Sequence, residues 1–370
     1  MKTKKTIWFD ITNVPHVNFL LPIIRKYENE MEMVFTVRDF AETKSLFEKR
    51  INKPYIEAGQ HQGGNKLKKL LGLIKRIIAL HKQVPQFDIK ISVGGDSSSP
   101  VAWWRKKMAV TFDDNETSPN WMYAPFTNLA FWPRVINPAI LGKQFFKKNL
   151  YQYNGYKEDF YLADYTPNPT FLDQLPFKNY VVVRPENIKA SYVEGRQSIV
   201  PELLKALDAQ GYNILFLPRY ESDRDYAKDI KNIYIPTEAV NGMDACYYAD
   251  AILTGAGTMA REAACLGVPS VSFFAGANLL TVDQSLVDAG KMFYSRDVQQ
   301  IMQYLDAAKS SFFAERGGGI AGLERCKKVQ QEILEVLDKK IRQYLKGNLR
   351  QLFNKKLTET PTEKYNCSYS

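Results

Sequence analysis

Residues 253–269, LTGAGTMAREAACLGVP, hold the clearest chemical signal in the chain. An apolar run ends in Gly255-Ala256-Gly257-Thr258, passes into a stretch with helical spacing, and is followed by a second apolar run through Phe274. Gly255 and Gly257 let the backbone turn sharply and come close to a ligand. Thr258 is placed to cap the following helix, whose first N–H groups and dipole favour an anion. Past the turn stand Arg261 and Glu262, and a carboxylate there can accept hydrogen bonds from paired ribose hydroxyls while the helix start holds phosphates. In outline this is a nucleoside-diphosphate site. The same residues fit the G-x-G-x-x-A fingerprint for NAD or FAD, which also needs an acid at the end of the next strand, about 20 residues on. Here that strand ends in Phe274 to Asn278, with no carboxylate before Asp283. A tight strand-to-helix turn that binds nothing is the third reading.

Other candidate residues also sit where apolar runs end. His16 follows a short loop and opens a helical stretch. A helix start disfavours imidazolium, which suits a general base that takes a proton from an acceptor hydroxyl; the alternative is a polar cap. Asp96 stands beside Gly94-Gly95 and before three serines, as an N-cap or as a substrate-binding or catalytic carboxylate. Asp113 and Asp114 end another run and are suited to sugar hydroxyls. They lack the D-x-D spacing of a metal cluster, so no metal is expected. Arg184 and Arg219 end runs in the second half and suit either a bidentate diphosphate contact or a bridge to a carboxylate.

These residues need rigid elements to hold them. Short apolar strands alternate with helices at 6–9, 17–27, 33–37, 41–50, 54–57 and 88–93, which is the pattern of a doubly wound parallel sheet. Pro167, Pro169 and Pro176 mark a linker, after which the pattern restarts at 180–183, 198–210, 213–217, 233–235, 243–249 and 251–254. The expected organisation is an α/β chain of two Rossmann-like domains. These are an acceptor domain over 1–165, a linker over 166–178, a nucleotide-sugar domain over 179–345, and a flexible basic tail over 346–370. His16, Asp96, Asp114, Arg184 and Gly255 all fall at the carboxyl end of a strand, where such sheets bind ligands.

The 370 residues suit two domains, and 45% hydrophobic with 24% charged residues provide for two cores. No apolar run is long enough for a transmembrane helix, and no signal-peptide pattern follows the first lysines, so a cytoplasmic protein is expected. Cys246, Cys265, Cys326 and Cys367 form no CxxC pair, as expected for reduced thiols without zinc or disulfides. The net charge of +10 is concentrated in two places. Residues 66–82, KLKKLLGLIKRIIALHK, hold six Lys or Arg and no acid, and residues 338–370 hold eight basic against three acidic residues. This is not the interleaved basic and aromatic groove of a nucleic-acid protein. In 66–82, Leu67, Leu70, Leu71, Ile74, Ile77, Ile78 and His81 form a helical stripe, with Lys68, Lys69, Lys75, Arg76 and Lys82 opposite. One reading packs the stripe on the first sheet with a solvated basic face. The other sets the helix on an anionic membrane, with Trp103-Trp104-Arg105-Lys106-Lys107 adding to the contact. His61 and His81 are expected at the surface.

The 253–269 segment resembles the nucleotide-sugar motif of the GT-B superfamily, most closely LTDSGGIQEEAPSLGVP of the non-hydrolysing UDP-N-acetylglucosamine 2-epimerases. Glu262 falls on the ribose-binding glutamate of that pattern, while its Asp and Ser become Gly255 and Ala256. Arg184, Glu186 and Asn187 match the family's HRREN, with Val183 in place of its histidine. Val14-Pro15 and Leu21-Pro22 match the spacing of GTRPEAIKMAPL, with its arginine lost. Residues 92–99 are similar to HGDTTT, with Asp96 on a catalytic aspartate, and Asp114 lies near a catalytic glutamate. His16-Val17 through Leu21 is similar to the GHVxPAL segment of MurG-type glycosyltransferases, in which a glutamine near Gln284 contacts the donor sugar. The opening WFDITNVPHVNFLLPI also resembles an uncharacterised bacterial and archaeal family grouped with GT-B enzymes. The resemblance implies a UDP-sugar as substrate with no required cofactor. It also implies a glycan or polyprenyl-linked acceptor and a glycosyltransferase in cell-surface glycan synthesis, a cytoplasmic protein for which a peripheral place at the inner face of the membrane is one expectation. The alternatives are a 2-epimerase-like enzyme and a catalytically inactive nucleotide-sugar binder.

Overall fold

Short apolar runs separated by helices fold into two parallel sheets in the computed structural model, which describes residues 4–39, 43–60, 66–95, 97–118, 120–143, 150–188, 196–238, 240–312 and 318–347. The first half runs β1 (Thr6–Ile11), α1 (Val14–Tyr27), β2 (Glu32–Asp39), α2 (Thr43–Arg50), β3 (Ile56–Gln60), α3 (Lys66–Gln83) and β4 (Ile89–Val93). It continues with α4 (Ser98–Trp104), β5 (Met108–Phe112), β6 (Leu129–Pro133), α5 (Pro138–Lys143), β7 (Leu150–Tyr153) and α6 (Lys157–Leu162). The second half begins with β8 (Val181–Arg184), α7 (Val200–Ala209), β9 (Ile214–Phe216), β10 (Ile233–Tyr234), α8 (Gly242–Tyr247) and β11 (Ala251–Thr254). It ends with α9 (Gly257–Leu266), β12 (Ser270–Ser272), α10 (Thr281–Asp288), β13 (Phe293–Tyr294), α11 (Val298–Phe312) and α12 (Gly318–Leu345).

The strand orders are β3-β2-β1-β4-β5-β6-β7 and β10-β9-β8-β11-β12-β13. Each half therefore repeats the 3-2-1-4-5-6 order of Rossmann folds, whose ligand crevice opens where the order reverses. In the first sheet that point lies between β1 and β4, and in the second between β8 and β11. The central strands are buried on both faces, so they read as nearly continuous apolar runs. Two charges interrupt them. Lys90 in β4 is fully buried and donates to Ser99 Oγ at 2.9 Å. Asp10 in β1 accepts from Thr36 Oγ1 at 2.7 Å and from Arg76 at 2.6 and 3.2 Å.

Three sequence expectations need correction. Helix α1 starts at Val14 rather than Val17, because the Asn13 side chain accepts from the Val14 N–H at 2.9 Å and Pro15 fits the first turn. His16 thus lies within that turn. Helix α9 is capped by the extended backbone of Ala256 with no side-chain bond, so Thr258 sits inside the helix and does not cap it. Helix α3 is rotated relative to the expected packing. Arg76 is buried against Asp10 and the Ala58 carbonyl, and it turns Leu80 inward with it. Leu70, Leu71, Ile74 and Ile78 of the apolar stripe face solvent instead. His81 is half-buried and stacks on Trp104 at 4.3 Å. His61 lies outside the described residues, as do Cys367 and the tail beyond residue 347. Cys246, Cys265 and Cys326 are buried free thiols.

Helix α12, in the stretch assigned to the second domain, runs back across the first. Tyr27 and Tyr151 donate to Asp338 and Glu332, and Arg325 Nη2 donates to Asp159 at 2.6 Å. Ile333, Leu337 and Ile341 join the core of the first half. The helix passes α9 at Gly322, where an added Cβ would stand 2.6 Å from the Cys265 carbonyl oxygen. Because the obstacle is backbone, Gly322→Val is expected to destabilise the protein by about 1–3 kcal/mol. A urea unfolding curve checks this, and an unchanged midpoint would show that α12 is not seated there.

Candidate functional site

The halves meet where the loop after β5 and helix α6 pack on α9 and α10, and the chain supplies polar residues at the strand ends of both sheets. After β1, His16 Nδ1 shares a hydrogen bond with Thr12 Oγ1 at 3.1 Å. Among the described residues Nε2 has no partner. Burial, with the Lys157 ammonium adding to it, lowers the His16 pKa to about 3, so the imidazole is neutral at ordinary pH. After β4, Gly94 adopts a φ of 64°, and a Cβ on Gly95 would meet Ser99 Oγ at 2.5 Å and Lys90 Nζ at 2.8 Å. Asp96 lies outside the described residues.

After β5 the two aspartates diverge. Asp113 accepts N–H bonds from Asp114 and Asn115 and a hydroxyl bond from Tyr123. Burial and the neighbouring Asp114 charge raise its pKa to about 6. Asp114 is buried too, but Lys157 Nζ at 2.7 Å and Arg261 Nη2 at 3.6 Å outweigh that and hold its pKa below the usual carboxylate range. A carboxylate so firmly ionised is a weak proton acceptor. Asp114 therefore acts on the cleft through its charge, Asp113 is the better poised by its pKa to move a proton, and His16 offers a neutral ring nitrogen as a hydrogen-bond acceptor.

Arg261 on α9 joins the halves. Its Nε donates to Glu158 on α6 at 2.8 Å and its Nη1 to Asp283 on α10 at 2.8 Å. Gly257 lets this side chain fold back, since a Cβ there would lie 3.0 Å from Nη1. Beside it, Glu262 Oε1 accepts from the Tyr161 hydroxyl at 2.6 Å. Burial raises the Glu262 pKa to about 7 even though the Tyr161 bond works in the opposite direction. Two further contacts cross between the halves: the Thr281 N–H donates to Glu116 at 2.7 Å, and Tyr156 and Ser285 share a bond of 3.0 Å. Behind Tyr161, a cavity of about 300 Å³ opens between α1 and α8, with Arg25 and Arg50 on its wall.

On the second sheet, Arg219, Arg184 and Gly255 follow the adjacent strands β9, β8 and β11. The Gly255 and Ala256 N–H groups are already used, by the Arg184 carbonyl and Thr254 Oγ1. The N–H groups of Gly257, Thr258 and Met259 form the first turn of α9 and point toward the crevice end. Arg219 Nε is buried without a hydrogen-bond partner among the described residues. Glu186 is engaged elsewhere, since Ser198, the Ile199 N–H and Arg296 all donate to it. Its Cγ lies 2.4 Å from where a Gly255 Cβ would be, so that glycine also serves chain packing. Asn187 Oδ1 accepts from Tyr220 at 2.6 Å. Gln284 is exposed and donates to Asp288 at 2.8 Å, so its side chain is outside this group.

The structure thus brings His16, Asp114 and Glu262 around one interdomain contact. It adds Lys157, Glu158, Tyr161 and Asp283, which the sequence motifs did not pick out. The only sequence signal for the α6 residues is the charged Lys-Glu-Asp triplet before an aromatic pair, and that is not tied to any strand end.

Two Rossmann-like parallel sheets, with a last helix returning to the first, define a two-domain α/β protein of the GT-B fold. Residues 5–336 match the family described as Protein of unknown function (DUF354), and the chain belongs to that family. An uncharacterised protein of Methanocaldococcus jannaschii is 28% identical over 314 residues, covering 81% of this chain and 90% of that one. UDP-N-acetylglucosamine 2-epimerase from Rickettsia bellii superposes with a TM-score of 0.66 at 14% identity, over 91% of this chain and 96% of that one. The Methanocaldococcus jannaschii 2-epimerase in complex with UDP-GlcNAc and UDP gives 0.64 at 15% identity, over 90% and 99%.

Arg261→Met would leave buried carboxylates unpaired, and a loss of about 3–5 kcal/mol at neutral pH is expected from chemical unfolding. Glu262 adds a pH signature. Its raised folded-state pKa means the native protein holds a proton that the unfolded chain releases between the ordinary glutamate range and about 7. The resulting stability is full below that window and is lost as pH rises through about 7. Glu262→Gln should flatten this part of the stability–pH curve, and an unaltered slope would assign it to other groups.

Proposed function

We propose that this protein transfers a sugar from a uridine diphosphate donor to an acceptor hydroxyl, as a GT-B glycosyltransferase of cell-surface glycan synthesis. The observation that carries the reading is His16, a neutral imidazole at the first switch point whose Nε2 has no partner among the described residues. An acceptor hydroxyl on the first domain loses its proton to Nε2 as its oxygen attacks the anomeric carbon. The C–O bond to the diphosphate breaks on the opposite side. The departing charge is met by the α9 N–H groups and by Arg219 and Arg184, each suited to a diphosphate. Glu262 accepts from the ribose hydroxyls with the oxygen that Tyr161 does not use. The acceptor class is a glycan or a polyprenyl-linked saccharide. Glu186 and Asn187 act in this reading by holding the Arg184 loop.

A second reading, a 2-epimerase-like enzyme, draws on the likeness to the 2-epimerases over at least 90% of both chains. It also draws on Asp113, whose pKa of about 6 suits proton exchange at a sugar carbon. Asp96 and Asp114 are the carboxylates it would share with that family. The two chemistries differ in what they consume. Transfer needs an acceptor and frees one UDP per sugar moved, whereas epimerisation converts the UDP-sugar without an acceptor.

Chromatography of UDP-sugars incubated with and without an acceptor separates these outcomes. His16→Ala is expected to lower transfer about 10²–10⁴-fold with UDP affinity nearly unchanged, and full activity in that variant would sink the assignment. Since the imidazole is neutral above about pH 3, no acid limb of the wild-type profile should belong to His16.

A further inference from the structure

The first domain carries an apolar face that no other element among the described residues covers. Leu70, Leu71, Ile74 and Ile78 on α3 are each between 45% and 50% exposed. The chain has five tryptophans, and three of them, Trp103, Trp104 and Trp121, are about 60% exposed. The two groups are joined. Trp104 stacks on His81 of α3, and Trp103 meets Phe126 edge-on at 5.4 Å, in the 3-10 turn beside the one holding Trp121. An exposed apolar patch of this size on one face marks an interaction site.

Its charge identifies the partner. Residues 66–87, 97–112 and 120–136, which build the face, contain no aspartate or glutamate, while the first two hold nine Lys or Arg. Of these, Lys75, Lys82 and Lys106 are exposed. Arg76 is spent on Asp10, which fixes the rotation of α3 that turns the leucines and isoleucines outward. Tryptophan and branched aliphatic side chains beside lysine suit the boundary between lipid headgroups and acyl chains, and anionic headgroups complement the lysines. A second copy of the same face would bring like charges together. No helix among the described residues is long and apolar enough to cross a membrane, so the contact is peripheral.

We infer that this face, formed by α3, α4 and the Trp121 turn, docks the protein on an anionic lipid bilayer. The Trp121 turn is tied to Asp113 through Tyr123, the residue after that turn, whose hydroxyl donates to the carboxylate. The face therefore reaches the rim of the candidate site. The inference does not depend on the sugar chemistry, because its test measures vesicle binding without turnover.

The test is flotation of the full chain with vesicles rich in phosphatidylglycerol and, separately, with pure phosphatidylcholine. Binding to the anionic vesicles that weakens with added salt is expected. Trp103→Ser with Trp104→Ser should weaken it about tenfold or more, and Ile74→Ser with Ile78→Ser should act alike. Both variants should keep the wild-type melting temperature and UDP affinity, since these side chains are exposed. Absence of binding to anionic vesicles overturns the inference. So does binding that survives both double substitutions, which would move the contact elsewhere in the chain, or a dimer in light scattering that the same substitutions abolish.

Discussion

The guanidinium of Arg261 lies between the two sheets at 6% exposure, and a cation so placed has to find its counter-charges within the protein. It finds them on three separate elements: Asp114 after β5, Glu158 on α6 and Asp283 on α10. Two of the three come from the first half of the chain, so satisfying this one side chain sets how the halves meet. Desolvation offsets most of the attraction in such a cluster, so it contributes little net stability while intact. Removing one member costs much more, because the remaining charges stay buried.

The chemistry of the cleft follows from the same burial. With the Arg261 and Lys157 charges close by, Asp114 stays ionised, whereas Asp113, one residue earlier and bonded only to neutral donors, is raised to about 6. His16 loses its tendency to protonate for the complementary reason, since the half-buried ring is desolvated and the Lys157 charge opposes a second cation. Burial holds Glu262 near neutrality, because the Tyr161 hydroxyl that donates to it offsets that burial less than a cation would. One environment thus separates the titrations of four neighbouring groups, which is the condition for assigning acid, base and charge-holding roles to different residues.

A second ion pair has a different reach. Asp10 and Arg76 meet on the opposite side of the first sheet, where the Trp8–Thr36–Asp10 hydrogen-bond chain prepares the carboxylate. That bond chooses which face of α3 is buried. A helix with apolar residues on one side and lysines on the other would ordinarily turn its apolar side to the core. Here the buried arginine rotates it, and the molecule gains an apolar surface bordered by basic residues.

The sequence by itself determined the architecture and the strand ends. Continuous apolar runs buried on both faces, the alternation with helices and the proline-rich break are local signals, and they specified two Rossmann-like halves and where each crevice opens. The 253–269 motif, His16, Asp114 and Arg219 were legible because they stand directly after such runs. Tertiary structure decided the rest. The roles of Lys157, Tyr161 and Asp283 exist only once α6 and α10 close on α9, and no local pattern encodes a contact between residues more than a hundred positions apart. The return of α12, the outward turn of Gln284 and the rotation of α3 were likewise hidden. For α3 and α12 a long-range ion pair or backbone contact overrides what periodicity alone prefers, because a buried charge left unpaired costs more than an apolar side chain left in water, whereas Gln284 is held outward by a bond to Asp288 on its own helix.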